Sequence, residues 1–364
     1  MDFKYAGDMN SSEHLMKKRL SIIAVVLTVA FLFLSIPLSG NADGTSMYRD
    51  LQLNENEKAI YDAILAADLD ERELEIEMQY RIYVNASDES GFIHSYVSDM
   101  WNKVYYALLL EQPLAYWHWG KSGINVTAVT EPSGSMVALT HVHASVDLDI
   151  AYDDDLSTTD VNELQEKMNA LLKVIDDFST DRTSKRDIVE DINNYLVNLV
   201  TYDPKVGTAE ESPFAHDAYG ALVAEDHYAV CDGYSRAFLL LCNKMNVNCM
   251  MDLGSALPSM VGHAWNYVQL DNDKWYAIDV TWNDENDNQY FLRGAETFFT
   301  NHMQGSLLRV DDTNGVNIPF NLPIEISKDK YDADPPSYEK YAWVFATLIV
   351  ALLVLALYYS TREK

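Results

Sequence analysis

Three residues whose types suit acyl-transfer chemistry follow one another in the C-terminal half of the chain: Cys231, His263 and Asp279. A thiolate is a strong nucleophile, an imidazole takes up and returns a proton near neutral pH, and a carboxylate can orient that imidazole. Cys231 follows the apolar pair Ala229-Val230 and opens a stretch, 230–245, in which Cys231, Tyr234, Ser235, Phe238, Leu241, Cys242 and Met245 recur on one helical face. At a helix start the free backbone N–H groups and the positive end of the dipole favour a thiolate. His263 opens an expected strand over 263–270, and Asp279 lies near the end of the next, 274–281, with Asp271-Asn272-Asp273 as the turn between them. Side chains alternate between the faces of a sheet, so this hairpin must pair Trp265, not Asn266, with Asp279 if His263 and Asp279 are to meet. Each residue alone also has a structural reading: a core cysteine, a strand histidine and a capping aspartate.

Other polar clusters carry less. His141 and His143 share one face of an alternating segment, which fits a solvent or packing role better than a pair of metal ligands, so no metal is expected. The chain's other two cysteines, Cys242 and Cys249, are close enough in sequence for a disulfide outside the cell, but two buried free thiols are the favoured reading. Neither arrangement is a stapled scaffold or a paired-cysteine zinc site.

Several elements must position the central three residues. Helical spacing predicts helices over 55–69, 95–110, 161–178 and 185–200, the last two with Asp160 and Ser184 as caps. Strand-like alternation marks 74–84, 124–129, 136–143 and 145–150, with Pro132-Ser133-Gly134 as a turn in a small sheet. The chain of 364 residues is 48% hydrophobic, so a packed core is expected. Its 56 acidic against 26 basic residues give a net charge of −30, which excludes nucleic acid as a partner because phosphates need neutralising.

Two uncharged apolar stretches, 20–38 and 341–359, are each long enough to cross a bilayer. Lys17-Lys18-Arg19 before the first keeps the N-terminus cytoplasmic by the positive-inside rule, so the middle of the chain lies outside. Gly40-Asn41-Ala42 is a candidate cleavage site, but the first apolar run is longer than a usual signal core, which favours a retained anchor.

Four stretches together resemble the transglutaminase-like superfamily of bacteria and archaea: residues 212–223 (SPFAHDAYGALV), 230–238 (VCDGYSRAF), 263–270 (HAWNYVQL) and 275–283 (WYAIDVTWN). They stand in the family's order and at similar separations. Upstream, 107–117 (ALLLEQPLAYW) and 195–203 (YLVNLVTYD) resemble the accessory region of exported members, with Gln112-Pro113 where that region usually has an aspartate-proline pair. The resemblance implies an α+β protein with a papain-like transglutaminase core and an N-terminal α+β accessory region, flanked by two transmembrane helices. The expected division is a cytoplasmic tail (1–19), a span (20–38), the accessory region (46–183), the core (184–310), a juxtamembrane linker (311–340), a second span (341–359) and a cytoplasmic tail (360–364).

By the same resemblance Cys231 is the nucleophile, His263 the general base and later acid, and Asp279 the group that orients the imidazole. The backbone N–H of Cys231 is a natural oxyanion donor, with Tyr219 or His216 as a second. The implied enzyme sits in the cell membrane with its catalytic domain extracytoplasmic and uses no cofactor. It acts on peptide or wall-linked amides, by hydrolysis in preference to cross-linking. A non-catalytic binding module is the rival reading.

Overall fold

The computed structural model describes residues 47–68, 71–87, 89–114, 124–146, 161–305, 307–309, 317–319 and 322–332. Both expected membrane spans lie outside these residues, as does the cap Asp160. Among the described residues no helix is long and apolar enough to cross a membrane.

The N-terminal half pairs helices with a three-stranded antiparallel sheet. Helices α1 (Met47–Gln52) and α2 (Glu55–Ala66) precede strand β1 (Glu73–Asn85), helix α3 (Glu89–Glu111) and strands β2 (Ile124–Ser133) and β3 (Met136–Val146). Asn54 and Glu57 close a capping box at the start of α2, which fixes where that helix begins. In β1 the glutamates 73, 75 and 77 face out while Ile76 and Met78 are buried, the alternation of a sheet with one wet face. Helix α3 begins earlier than the expected 95–110, because buried Ile93 and Val97 extend its apolar stripe toward the N-terminus. It stops before Pro113, whose ring and missing N–H end a helix.

The sheet order β1-β3-β2 corrects one expectation. No break follows His143; β3 runs on to Val146 because it is the central strand, with Glu75 and Thr127 both paired to His143. Its two outer neighbours are β1 and β2, and residues 147–150 lie outside the described part.

The C-terminal half starts with helices α4 (Val161–Asp177) and α5 (Lys185–Leu199), the latter capped by the Ser184 hydroxyl accepting from Asp187 N–H as expected. Strand β4 (Thr201–Tyr202) pairs in parallel with β5 (Tyr228–Ala229), and the short helix α6 (Ala218–Leu222) lies between them in sequence. Helix α7 (Cys231–Lys244) follows at once. Its residues 233–242 are all buried, so it has a core on every side where the sequence suggested one apolar face.

A four-stranded antiparallel sheet, ordered β8-β7-β6-β9, packs against α7. It comprises β6 (Cys249–Ala256), β7 (Val261–Gln269), β8 (Trp275–Ile278) and β9 (His302–Gln304), with helices α8 (Val280–Glu285) and α9 (Ala295–Phe298) between the last two. Strand β8 is shorter than the expected 274–281, since Asp279 caps α8 and starts a helix there. The two halves meet where the buried Tyr48 hydroxyl donates to Met251 O at 3.1 Å. Part of the expected linker is seated on the core: Ala295 N–H donates to Ser327 O, Ser327 N–H to Trp275 O and Tyr331 N–H to Leu292 O.

Candidate active site

Cys231 is the first residue of α7, and the backbone fixes it there from two sides. Val230 N–H donates to Ala215 O at 2.9 Å and Asp203 N–H to Ala229 O at 3.0 Å. Gly233, in the first turn, permits this approach, since a Cβ there would fall 2.3 Å from Ala215 O. Val230 caps the helix with no side-chain hydrogen bond, so no side chain there competes with a substrate oxygen for the N–H groups of the first turn.

The β7–β8 register sets the other two residues. Asn266 pairs with Ile278 and Gln269 with Trp275, which continues to Trp265 opposite Asp279 and puts His263 and Asp279 on one face. Asn266 Nδ2 donates to Ser235 O at 3.0 Å and ties the strand bearing His263 to the helix bearing Cys231.

The structure brings all three residues together. His263 Nε2 donates to Asp279 Oδ2 at 2.7 Å, and the thiol of Cys231 is within hydrogen-bonding reach of the same imidazole. With Nε2 committed to the carboxylate, Nδ1 is the nitrogen left for Cys231. Burial opposes a charge on His263, but hydrogen bonds to Asp279 and Cys231 outweigh it and push the imidazole up to about 9. Burial also works against the Asp279 charge, and here the N–H donors of His263 and His302 win, holding the carboxyl below its usual range. Asp279 is fully buried, whereas Cys231 is partly exposed and can meet a substrate. The Trp282 ring stacks on His263, 5.0 Å between centroids.

His216 binds carboxylates through both ring nitrogens, Nδ1 to Asp232 at 2.9 Å and Nε2 to Glu211 at 3.0 Å. Those contacts turn the ring toward acidic partners instead of an oxyanion. Tyr219, on α6, packs edge-to-face against Phe214. His141 and His143 sit on β3, with His143 against Glu75 at 3.1 Å and His141 against Thr140 at 3.1 Å. All three cysteines are free thiols; burial and the neighbouring Cys249 push Cys242 well above the usual thiol range.

Two residues near the triad were not singled out from sequence. Tyr202 ends β4 opposite Ala229, and burial, then the charges of Cys231, Glu285, Asp232 and Glu211, push its phenol up to about 12. It stood within the 195–203 stretch, but only the parallel pairing brings it to the nucleophile. His302, from β9, also bonds Asp279 Oδ2, at 3.0 Å against 2.7 Å for His263; no motif surrounds it, and its one sequence signal was a histidine shortly after the aromatic pair Phe298-Phe299.

His263, Asp279 and His302 also form the set of potential metal ligands with atoms within 4.8 Å of one another. Both histidines aim Nε2 at the same oxygen, at 2.7 and 3.0 Å, which are hydrogen-bond lengths and suit shared protons.

Residues 173–280 match the sequence profile of the transglutaminase-like superfamily, a segment running from the end of α4 to the first residue of α8. These residues thus form a transglutaminase-like domain within the chain. Among solved structures, a TGase shares 20% identity at a TM-score of 0.27, over 44% of this chain and 45% of that one. A proposed cysteine protease from Cytophaga hutchinsonii shares 12% over 50% of this chain and 67% of its own, at a TM-score of 0.26. The periplasmic domain of TgpA from Pseudomonas aeruginosa shares 12% over 46% and 69%, at 0.19. The chain thus spans less than half the length of the TGase it resembles. No curated protein matches the chain in sequence.

Proposed function

We propose that this protein is a membrane-anchored, extracytoplasmic cysteine enzyme that opens peptide or wall-linked amides through a thioester on Cys231. The observation that carries the reading is a buried carboxylate–imidazole pair facing a partly exposed cysteine at a helix N-terminus. In the first half-reaction the Cys231 thiol passes its proton to His263 Nδ1 and the sulfur adds to the amide carbonyl, while the developing oxyanion is received by N–H groups including that of Cys231. His263 gives its Nδ1 proton to the departing amine as the C–N bond breaks, leaving the acyl thioester. Water then loses a proton to Nδ1 and adds to the thioester; collapse returns the proton to sulfur and releases the acid. Asp279 remains ionised and holds the ring throughout.

Hydrolysis is the favoured outcome because nothing in the sequence marks a lysine-binding groove, and attraction of amines by a −30 chain is general and screened by salt. The test presents the purified protein with a panel of peptide and wall-peptide amides, with and without a millimolar primary amine. Free acid as the main product, absent in Cys231→Ala, is expected. Amine-coupled product persisting at high salt makes it a cross-linker, and no turnover across the panel favours a binding module.

A further inference from the structure

Asp279 is the only wholly buried carboxylate against which two histidines close among the described residues, and its hydrogen bonds are fully accounted for. Oδ1 accepts from Trp282 N–H at 3.0 Å, as the cap of α8. Oδ2 accepts from His263 Nε2 at 2.7 Å and from His302 Nε2 at 3.0 Å. His302 is 1% exposed and lies beyond the segment that matches the superfamily profile, which ends at 280.

The surroundings of His302 leave it little freedom. Its Nδ1 is 2.8 Å from the Asn301 amide oxygen, and the amide nitrogen of Asn301 is 2.8 Å from the Tyr290 hydroxyl. Amide orientation is set by the network around it. Nδ1 also lies 3.3 Å from Phe298 O, a backbone oxygen that only accepts. Asp279, held ionised, likewise only accepts, so Nε2 carries the hydrogen on that side. Phe298 lies parallel to the ring at 3.8 Å between centroids, Trp282 at 4.4 Å and Trp265 at 5.1 Å, so the imidazole is held in its plane.

The backbone delivers His302 to this place. Ala256 pairs with His302, and Leu257 N–H donates to Asn301 O at 2.8 Å. Gly254 makes the approach of β9 possible, because a Cβ there would meet Met303 O at 2.1 Å and the Trp265 ring at 2.5 Å. Two strands and an aromatic wall thus aim one N–H at the oxygen that orients His263.

We propose that His302 is a positioning residue for the Cys231 chemistry: its Nε2–H fixes the rotation of the Asp279 carboxylate and keeps it ionised, so that Oδ2 stays in line with His263 Nε2. The proposal rests on the reading of Cys231 as a nucleophile. Without His302 the carboxylate keeps two donors, Trp282 N–H and His263 Nε2, and is less tightly held about its Cβ–Cγ bond, and holding its charge without water becomes costlier. An imidazole less firmly held supports less thiolate.

The test reads the thiol directly and needs no substrate: the rate at which iodoacetamide alkylates Cys231, followed by peptide mass spectrometry from pH 5 to 10, in the full-length protein. His302→Met removes the donor at similar volume, and His302→Gln retains an N–H that can reach Oδ2. The expected result is alkylation at pH 7 slowed roughly 10- to 100-fold in His302→Met, the size of effect that partners orienting metal-bound histidines have, with most of the rate restored in His302→Gln. A purely packing role predicts instead that both variants lose melting temperature and keep the wild-type pH profile of alkylation, which overturns the proposal. If His302→Met does not fold, Asn301→Ala loosens the same ring without removing it, and a slowing of a few-fold is expected; an unchanged rate again overturns it. Slow, pH-insensitive labelling of Cys231 in the wild type would sink the nucleophile reading itself and be told apart by that pattern.

Discussion

At the residue scale, the three side chains that the structure brings together were legible because their types are rare in combination. Cys231, His263 and Asp279 stood out by type, order and local pattern, and strand alternation set the condition, Trp265 opposite Asp279, that the observed register meets. What the sequence hid was the second side of the carboxylate. Asp279 also caps α8, and His302 returns to it from a strand that pairs with β6, a long-range contact with no local pattern. The titration of His263 gives a prediction of definite sign. Its folded value, about 9, lies above that of a free imidazole, about 6.5, so its stabilisation is complete below about pH 6.5 and is lost as pH rises through 9. Thermal melts between pH 6 and 10 should therefore show the wild type losing stability over that window relative to His263→Gln. Parallel curves for the two proteins would show that the imidazole gains nothing from Asp279 and Cys231.

At the element scale, the longer helices were legible from 3.6-residue periodicity, and the limits of α5 and α7 fell within a residue of expectation, whereas the short α1, α6, α8 and α9 were not expected. Strand limits were harder. Thr281 continues the alternation of β8, yet Asp279 bonds Trp282 N–H and converts the next residues to helix. A buried amide ladder then fixes α8 against α5: Asn283 Nδ2 donates to Asn193 Oδ1 at 2.8 Å, and Asn193 Nδ2 to Asn288 Oδ1 at 2.7 Å. Asn193 is 0% and Asn283 1% exposed, so loss of Asn193 strands the Asn283 amide away from water, while the exposed Asn288 can turn to solvent. Asn193→Ala should cost about 1–3 kcal/mol in urea unfolding, the price of leaving one such buried group unpaired. It should also slow Cys231 alkylation, because α8 starts at Asp279. A loss below about 0.5 kcal/mol, the size of an ordinary surface change, would mean that the ladder does not hold the helix.

At the scale of the whole molecule, composition gave the expectation of a folded core and of no nucleic acid partner, and the apolar ends that of two membrane spans. The accessory sheet was legible in kind but not in order, since which strand is central depends on pairing between β1 and β3 across the whole of α3. The expected linker was misjudged in part because 322–332 lacks a strong periodic pattern, yet it supplies backbone partners to Trp275 and Ala295. The charge asymmetry around 20–38 predicts that protease added to intact cells digests the middle of the chain, residues 43–339, and spares 1–19; protection of the middle until the membrane is opened would reverse the topology. The central claim, that Cys231 carries an acyl group in the catalytic cycle, is tested most directly by rapid mixing of the purified protein with p-nitrophenyl acetate and peptide mapping of the quenched protein. The account predicts a stoichiometric burst of p-nitrophenol, an acetyl thioester on the peptide holding Cys231, and loss of both in Cys231→Ala. A burst of equal size in Cys231→Ala, or acetylation confined to other residues, would contradict it.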